Sequence, residues 1–500
     1  MKQNIKKLAF AALCTLLLQN FMTSCSETDL SALSNTKQEN AVTGVDSVKS
    51  SSVSQNIQVD NYQVTLRDAN NLLKSLGKDS DAKLKVYTDK SDTLLYVANY
   101  HDGWTIISGD KRLNPIIAES SQESSSDVTP NDNVKFWLET YKDELATIKQ
   151  EMDSVEIAEI STRSNLPSSQ KTYVDFWNKI SPTPKPTNAS TRSSAEYKWA
   201  VVSNTYCDSE TSSIVTPHLI ETKWGQSEPW NSKLPTDTKA NQKCPTGCVA
   251  VSLAQIIYYM HGHFGKPTGL YHNINISSSS ISGATNNIGF SRSNYVSNSD
   301  RWNKMAPTRN DEDWTKSDFE TSYVGDFMLD IGNRLNMKYS GTESSASISA
   351  SALANYNLTY SSSDYNFDNI KKSLQNKKPV NIVAYYKEGK NKKGHSWIID
   401  GIATKTRHFV TEIHFEYTEN WMNESEYYDS FDDLKQHYHI SSQYETIKED
   451  GGSYTTEYLL MNWGYDGQYN DGLFSKYPSD IWTVDGKDYK YDKKIYYDFK

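Results

Sequence analysis

The sequence predicts an α+β protein in which a small α+β domain precedes a large domain of two lobes, the first helical and the second built of strands. Three observations predict it. Val249, Leu253, Ile256, Ile257 and Met260 recur at helical spacing in KCPTGCVAVSLAQIIYYM, Lys243 to Met260. From Pro379 onward the stretches PVNIVAYY, GHSWIIDGI and EYLLMNW are rich in β-branched and aromatic residues and read as strands. Between the two domains, residues 154–196 contain SPTPKPTNASTRSS and carry no periodicity, the composition of a linker.

The N-terminus reads as a targeting segment. Lys2, Lys6 and Lys7 precede the apolar run LAFAALCTLLL, too short to span a bilayer and ordered like a secretory signal. FMTSC then resembles a bacterial lipobox, which makes Cys25 the lipidated first residue of a protein anchored to a membrane outside the cytoplasm, at the outer membrane or cell surface. Residues 26–56 are Ser, Thr, Asn, Asp and Glu with scattered apolar side chains, a tether. The first domain spans 57–153. It should have a helix up to about Leu76, strands through LKVYTDKSDTLLYVANYHDGWTIISGD, and a second helix over Trp137 to Met152. The large domain spans 197–500, with a Ser/Asn-rich surface loop at 273–300 and helices at Phe327–Leu335 and Asn369–Asn376.

Composition excludes some functions. A net charge of -10 with no basic run beyond the first residues argues against nucleic acid as partner. If Cys14 leaves with the signal and Cys25 carries lipid, Cys207, Cys244 and Cys248 remain, an odd number that suits a reactive thiol better than a disulfide framework.

Cys248 stands where a helix begins, after the turn residues Pro245, Thr246 and Gly247. Unpaired backbone N–H groups and the positive end of the helix dipole favour an anion there, which lowers a thiol's pKa. A thiolate nucleophile needs a base and a group to orient that base. His395 opens the strand GHSWIIDG beside Gly394, where a backbone can approach a substrate closely. Asn462 could accept the imidazole Nδ1–H, Trp463 could pack over that pair and exclude water, and Gln226 in TKWGQ offers a neutral donor for an oxyanion hole. A zinc site from Cys244, Cys248, His261 and His263 is the competing reading of the same stretch. Its spacing matches no usual finger pattern, and helix residues 249–260 hold the two pairs apart.

Taken together, WGQSEPWN, CPTGCVAVSLAQIIYYM, GHSWIIDG and NWGYDGQYNDGLF resemble the streptopain family of papain-like cysteine peptidases. WNKM and IGNRLNMKYSGTESSAS between them, and GWTIISGDKRLNPIIA upstream, resemble family segments, the last of these in the inhibitory propeptide. The resemblance implies a papain-like fold and an endopeptidase acting on proteins or peptides, made as a zymogen with its own propeptide as inhibitor. It implies Cys248 as nucleophile, His395 as base and then acid, Asn462 as orienting residue, Trp463 as its aromatic cover and Gln226 as oxyanion donor. No metal or organic cofactor is implied. The exposed composition of 154–196, between inhibitor-like and catalytic parts, makes this linker the expected activation site, with Arg163, Lys171, Lys185 and Arg192 as candidates for a trypsin-like activator and self-cleavage as the alternative. The gap of 67 positions from His395 to Asn462 exceeds the family's usual loop, so about 403–456 reads as an insertion able to wall off part of the cleft. A surface lipoprotein binding glycan or protein through its Tyr and Trp residues is the alternative, and a transglutaminase-like acyltransferase is disfavoured by Asn462 where an Asp is usual.

Overall fold

The computed structural model describes residues 62–78, 82–89, 92–121, nine positions within 137–152, 168–181, 197–237, 241–265, 288–289, 302, 305–308, 314–341, 344–388, 391–420, 426–467, 472–476, 483–484, 487–488 and 493–500. The signal, Cys25, the tether, most of the Ser/Asn-rich loop and the rest of the linker lie outside the described residues.

The N-terminal domain starts with α1, Leu66–Ser75, shorter than its apolar pattern because Thr65 starts it with a capping box. Thr65 Oγ1 accepts from Asp68 N (3.2 Å) and Asp68 accepts from Thr65 N (2.9 Å), satisfying two of the orphan donors of the first turn. Four strands follow as an antiparallel meander: β1 (Lys83–Asp89), β2 (Asp92–Tyr100), β3 (Gly103–Ser108) and β4 (Ile116–Ser120). The described positions within 137–152 are helical and bury Trp137, Leu138, Tyr141, Leu145, Ile148 and Met152 on that sheet.

The linker expectation needs correction. Its residues Ser168–Ile180 form a helix, α2, that buries Phe176, Trp177 and Ile180 against α1 and against Phe409 and Tyr454 of the large domain. Phe176 stacks on Tyr454 (5.2 Å between centroids) and meets Phe409 edge-on (5.1 Å). Such aromatic burial is strong enough to fold a short helix that polar neighbours disguise in the sequence.

The large domain is threaded by long strands: β5 (Lys198–Thr216), β6 (Ser361–Asp364), β7 (Val380–Glu388), β8 (Asn391–Thr418), β9 (Glu426–Tyr428), β10 (Ile447–Asn462), β11 (Leu473–Ser475) and β12 (Lys493–Tyr497). Among the described residues, one sheet of twelve strands runs β1-β2-β3-β4-β11-β10-β8-β7-β12-β6, with β5 paired to β8 and β9 to β5. The N-terminal domain therefore extends the sheet of the large domain, through the short pairing of Ala118 with Phe474 and Glu119 with Leu473.

The 28-residue strand β8 is the spine. Its start pairs with β7, and the rest lies between β10 and β5. Residues 403–456, expected as a wall on the cleft, are the far halves of β8 and β10 with β9 and the helix α6 (Phe431–Tyr438) between them. This hairpin arm has its own small core of Val201, Ile413, Phe415, Leu434 and Ile440, and on its other face it holds α2.

The helical lobe centres on α3 (Cys248–Phe264), which buries nearly all its circumference beneath α4 (Trp314–Arg334) and the aromatic residues Trp224, Trp302 and Phe327. A helix this apolar on every side belongs inside a core. The predicted helix at 327–335 is the end of α4, and that at 369–376 is α5 (Phe367–Gln375), N-capped by Asn366.

Candidate active site

Cys248 is the first residue of α3 and 5% exposed. Gly247 before it has φ 86°, and a Cβ there would stand 2.7 Å from Ser344 O, so both conformation and space require glycine. No side chain caps this helix start, which leaves first-turn N–H groups available to an anion at the sulfur or at an oxygen bound beside it. The turn is pinned from two sides. Ser344 Oγ donates to Pro245 O (2.5 Å), and Thr246 N donates to Gln226 O (2.9 Å) while Thr246 Oγ1 donates to Gly225 O (3.3 Å). The backbone of the WGQ segment is thus laced to the cysteine turn, and half-buried Gln226 is held beside it.

His395 lies on β8 opposite Ala384 of β7 and is 4% exposed. Its ring stacks on Trp397 (5.9 Å, 21°), and burial pushes its pKa down to about 3. Burial thus disfavours the charged form of the ring. The helix and the histidine strand meet one turn past the cysteine. Ser252 Oγ, four residues after Cys248, lies 3.0 Å from Ser396 Oγ, next to His395, and Asn381 of β7 donates to both at 2.8 and 3.0 Å. All three are buried.

Asn462 is fully engaged by neighbouring amides in this structure. Its Oδ1 accepts from Gln255 Nε2 (3.1 Å) and Gly464 N (3.0 Å), and its Nδ2 donates to Thr222 O (2.9 Å) and Gln255 Oε1 (3.2 Å). Its hydrogen bonds in this structure thus run to α3 and to the segment before Gln226. Gln255 reaches that segment as well, accepting from Thr222 Oγ1 (3.0 Å) and Trp224 N (3.3 Å). Trp463 stacks on Trp397 (5.3 Å, 29°), so the rings run His395, Trp397, Trp463. Phe474 continues the series edge-on to Trp463 (5.0 Å), and it meets Trp104 (5.9 Å) and Trp137 (5.1 Å) of the N-terminal domain. Packed rings therefore connect that domain to the histidine.

The sequence reading missed Ser252, Gln255, Asn381 and Ser396. A signal existed: Ser252 and Gln255 are polar positions four and seven residues after Cys248, on the helix face it begins, in an otherwise apolar helix. For the zinc alternative, the geometry is unfavourable, since thirteen residues of helix separate Cys248 from His261 by about 20 Å. His261 stacks on Trp302 (4.3 Å) and His263 on Tyr259 (4.2 Å). Cys244 is a buried free thiol, pushed up to about 11 by desolvation and then by Asp237, and is unsuited to attack. Cys25 lies outside the described residues.

Comparison with known proteins matches two families along the chain. Residues 224–472 match the peptidase C10 family, and residues 50–145 match the Spi protease inhibitor family. No curated protein matches the chain. Among solved structures, a fragment of prointerpain A from Prevotella intermedia shares 18% identity, covering 83% of this chain and 98% of its own, with a TM-score of 0.41. Active interpain A cysteine protease from the same organism shares 17% identity, covering 58% of this chain and 95% of its own, with a TM-score of 0.33. With an inhibitor domain ahead of a peptidase domain whose cysteine starts a buried helix beside a histidine strand, the chain is a cysteine-type endopeptidase with its own inhibitory propeptide and belongs to the peptidase C10 family.

Proposed function

We propose that this endopeptidase is exported, anchored by lipid at Cys25, and kept inactive by its N-terminal domain until the linker is cut. In the proposed mechanism, reduced Cys248 gives its proton to His395 once the site opens, and its thiolate attacks the scissile carbonyl. The oxyanion that forms takes hydrogen bonds from Cys248 N–H and the Gln226 side chain. His395 then donates the proton to the leaving amine, and a water deprotonated by His395 releases the acyl group and restores the thiol. Trp463, through Trp397, shields the imidazole. Asn462 acts at one remove, fixing α3 against the Gln226 segment through Gln255. The observation that carries the reading is the uncapped, glycine-entered start of α3 that presents Cys248 beside the His395 strand.

For activation, Lys171 lies within α2, and a helix cannot enter a protease cleft that demands an extended strand. Arg163, Lys185 and Arg192, outside the described residues, remain as cleavage sites. The test is casein hydrolysis by the linker-cleaved full chain under reducing conditions. Cys248→Ala should abolish it, and Cys244→Ala should retain it; a folded protein that neither hydrolyses casein nor is labelled at Cys248 by a thiol-directed peptidase inhibitor would overturn the reading. Cell fractionation checks the anchor: the uncut chain should sediment with membranes, and a Cys25→Ser chain should not.

A further inference from the structure

Glu119, on β4, is an acidic side chain that the N-terminal domain inserts into a buried cationic pocket of the hairpin arm. Arg407 Nη2 donates to both its oxygens (2.7 and 2.5 Å), Tyr458 OH donates to Oε1 (2.8 Å), and Lys405 Nζ stands 3.3 Å from Oε2. Burial alone would raise the carboxyl's pKa, but Arg407, Lys405 and Tyr458 outweigh it and hold Glu119 below the usual carboxylate range. The other carboxylate on these cations, Glu210, is 2.7 Å from Arg407 Nε and 3.0 Å from Lys405, and its side chain is 40% exposed. Withdrawing β4 therefore leaves two cations sharing Glu210. Arg407, its side chain only 2% exposed, also has an Nη1 that finds no acceptor among the described residues. Such a pocket requires an anion, since a buried cation left unpaired is costly.

The same withdrawal uncovers a strand edge. β4 pairs with β11 at Ala118–Phe474 and Glu119–Leu473, and β11 pairs on its other side with β10, the strand that ends in Asn462. Edge strands accept an extended peptide through main-chain hydrogen bonds, with side-chain pockets selecting its sequence. Here the pockets are the apolar face of Phe474, which touches Trp463, and the Arg407–Lys405–Tyr458 cluster. We propose that the β11 edge and this cluster form a substrate-recognition exosite for an extended apolar segment bearing one acidic side chain, a place that Glu119 holds in the zymogen. The proposal rests on the zymogen peptidase reading and names a substrate feature for it.

The experiment uses enzyme processed from the folded full chain and chromatographically freed of its N-terminal domain. Its probes are the peptide RLNPIIAESS, residues 112–121, and its Glu119→Gln counterpart. With Cys248 blocked, the glutamate peptide should bind about tenfold tighter, as hydrogen bonds to a charged group imply. Arg407→Met should bring the ratio near one, and Lys405→Met, a milder change at the pocket mouth, should lower it if the first does not fold. With Cys248 free, the glutamate peptide should slow casein hydrolysis at concentrations where the glutamine peptide does not. Equal binding of the two peptides, or glutamate-selective binding that leaves casein hydrolysis unaltered, overturns the exosite while leaving the peptidase intact. Glutamate-selective binding by an enzyme that hydrolyses nothing overturns the peptidase reading instead.

Discussion

The polar contacts between α3 and the sheet are neutral amides and hydroxyls, whereas those between the N-terminal domain and the hairpin arm centre on a buried ion pair. In the first, Ser252, Asn381 and Ser396 form one cluster and Gln255, Asn462 and Thr222 another, each buried and each joining chain segments far apart in sequence. In the second, Glu119 and Arg407 carry the contact, with Asn114 bridging Ser475 and Tyr454. Neutral groups have modest hydration to regain on separation, so the first seam stays shut. Charged groups are strongly hydrated when released, so the second holds while dry and lets go once water or another ion enters. The seam that must persist through catalysis and the seam that must open for it differ in the right direction.

Breaking the charged seam from one side should produce the largest effect. Glu119→Ala leaves Arg407 buried beside Glu210 alone and should weaken docking of the N-terminal domain by about 3–5 kcal/mol. The measurement is the urea concentration at which a linker-cleaved chain loses its N-terminal domain, and activation should quicken in parallel. The neutral seam should respond less. Gln255→Leu removes the reciprocal amide pair with Asn462 and should cost about 2–3 kcal/mol in global unfolding, with no effect specific to release of the N-terminal domain.

The pH dependence separates the seams further. His395 has its pKa lowered from 6.5 to about 3 in the folded chain, so between those values the unfolded state binds more protons. Its contribution to stability is whole above pH 6.5 and is lost as pH falls toward 3, by about 2 kcal/mol between pH 6.5 and 5. A His395→Gln chain should show an unfolding free energy flatter over that interval. Glu119 adds a loss of the same sign only below its ordinary value of 4.5, so acid should loosen the histidine site before the charged seam. The smallest effect belongs to Ser252→Ala, about 1 kcal/mol by thermal unfolding, because Asn381 and Ser396 keep their bonds to each other.

The sequence made the main architecture legible where a single periodicity dominates. α3, α5 and the strands around His395 follow from apolar spacing, and the placement of Cys248 at a helix start follows from Pro-Thr-Gly before it. What it hid depends on contacts between distant segments. Phe176, Trp177 and Ile180 have helical spacing, but Pro, Ser and Thr surround them, and only the arm's Phe409 and Tyr454 make their burial possible. The arm itself is strand on both sides of β8, with many residues facing water, so its alternation is weak. Asn462 is a choice between two partners that spacing along the chain cannot make, and packing gives its amide to Gln255.

The docked helix α2 gives the position of the activating cut a meaning of its own. Lys179 Nζ donates to Gly451 O (2.9 Å) and Thr205 Oγ1 donates to Lys179 O (3.0 Å), so the helix is fastened to the arm, while Asn71 and Asp68 of α1 share Ser181 with it from the other side. A cut at Arg163 bequeaths α2 to the mature enzyme, as a plug over Phe409 and Tyr454. A cut at Lys185 or Arg192 sends it off with the N-terminal fragment and lays that aromatic face bare. Under the proposed activation, the side of α2 on which the linker is cut would decide whether the mature enzyme keeps this patch of rings covered.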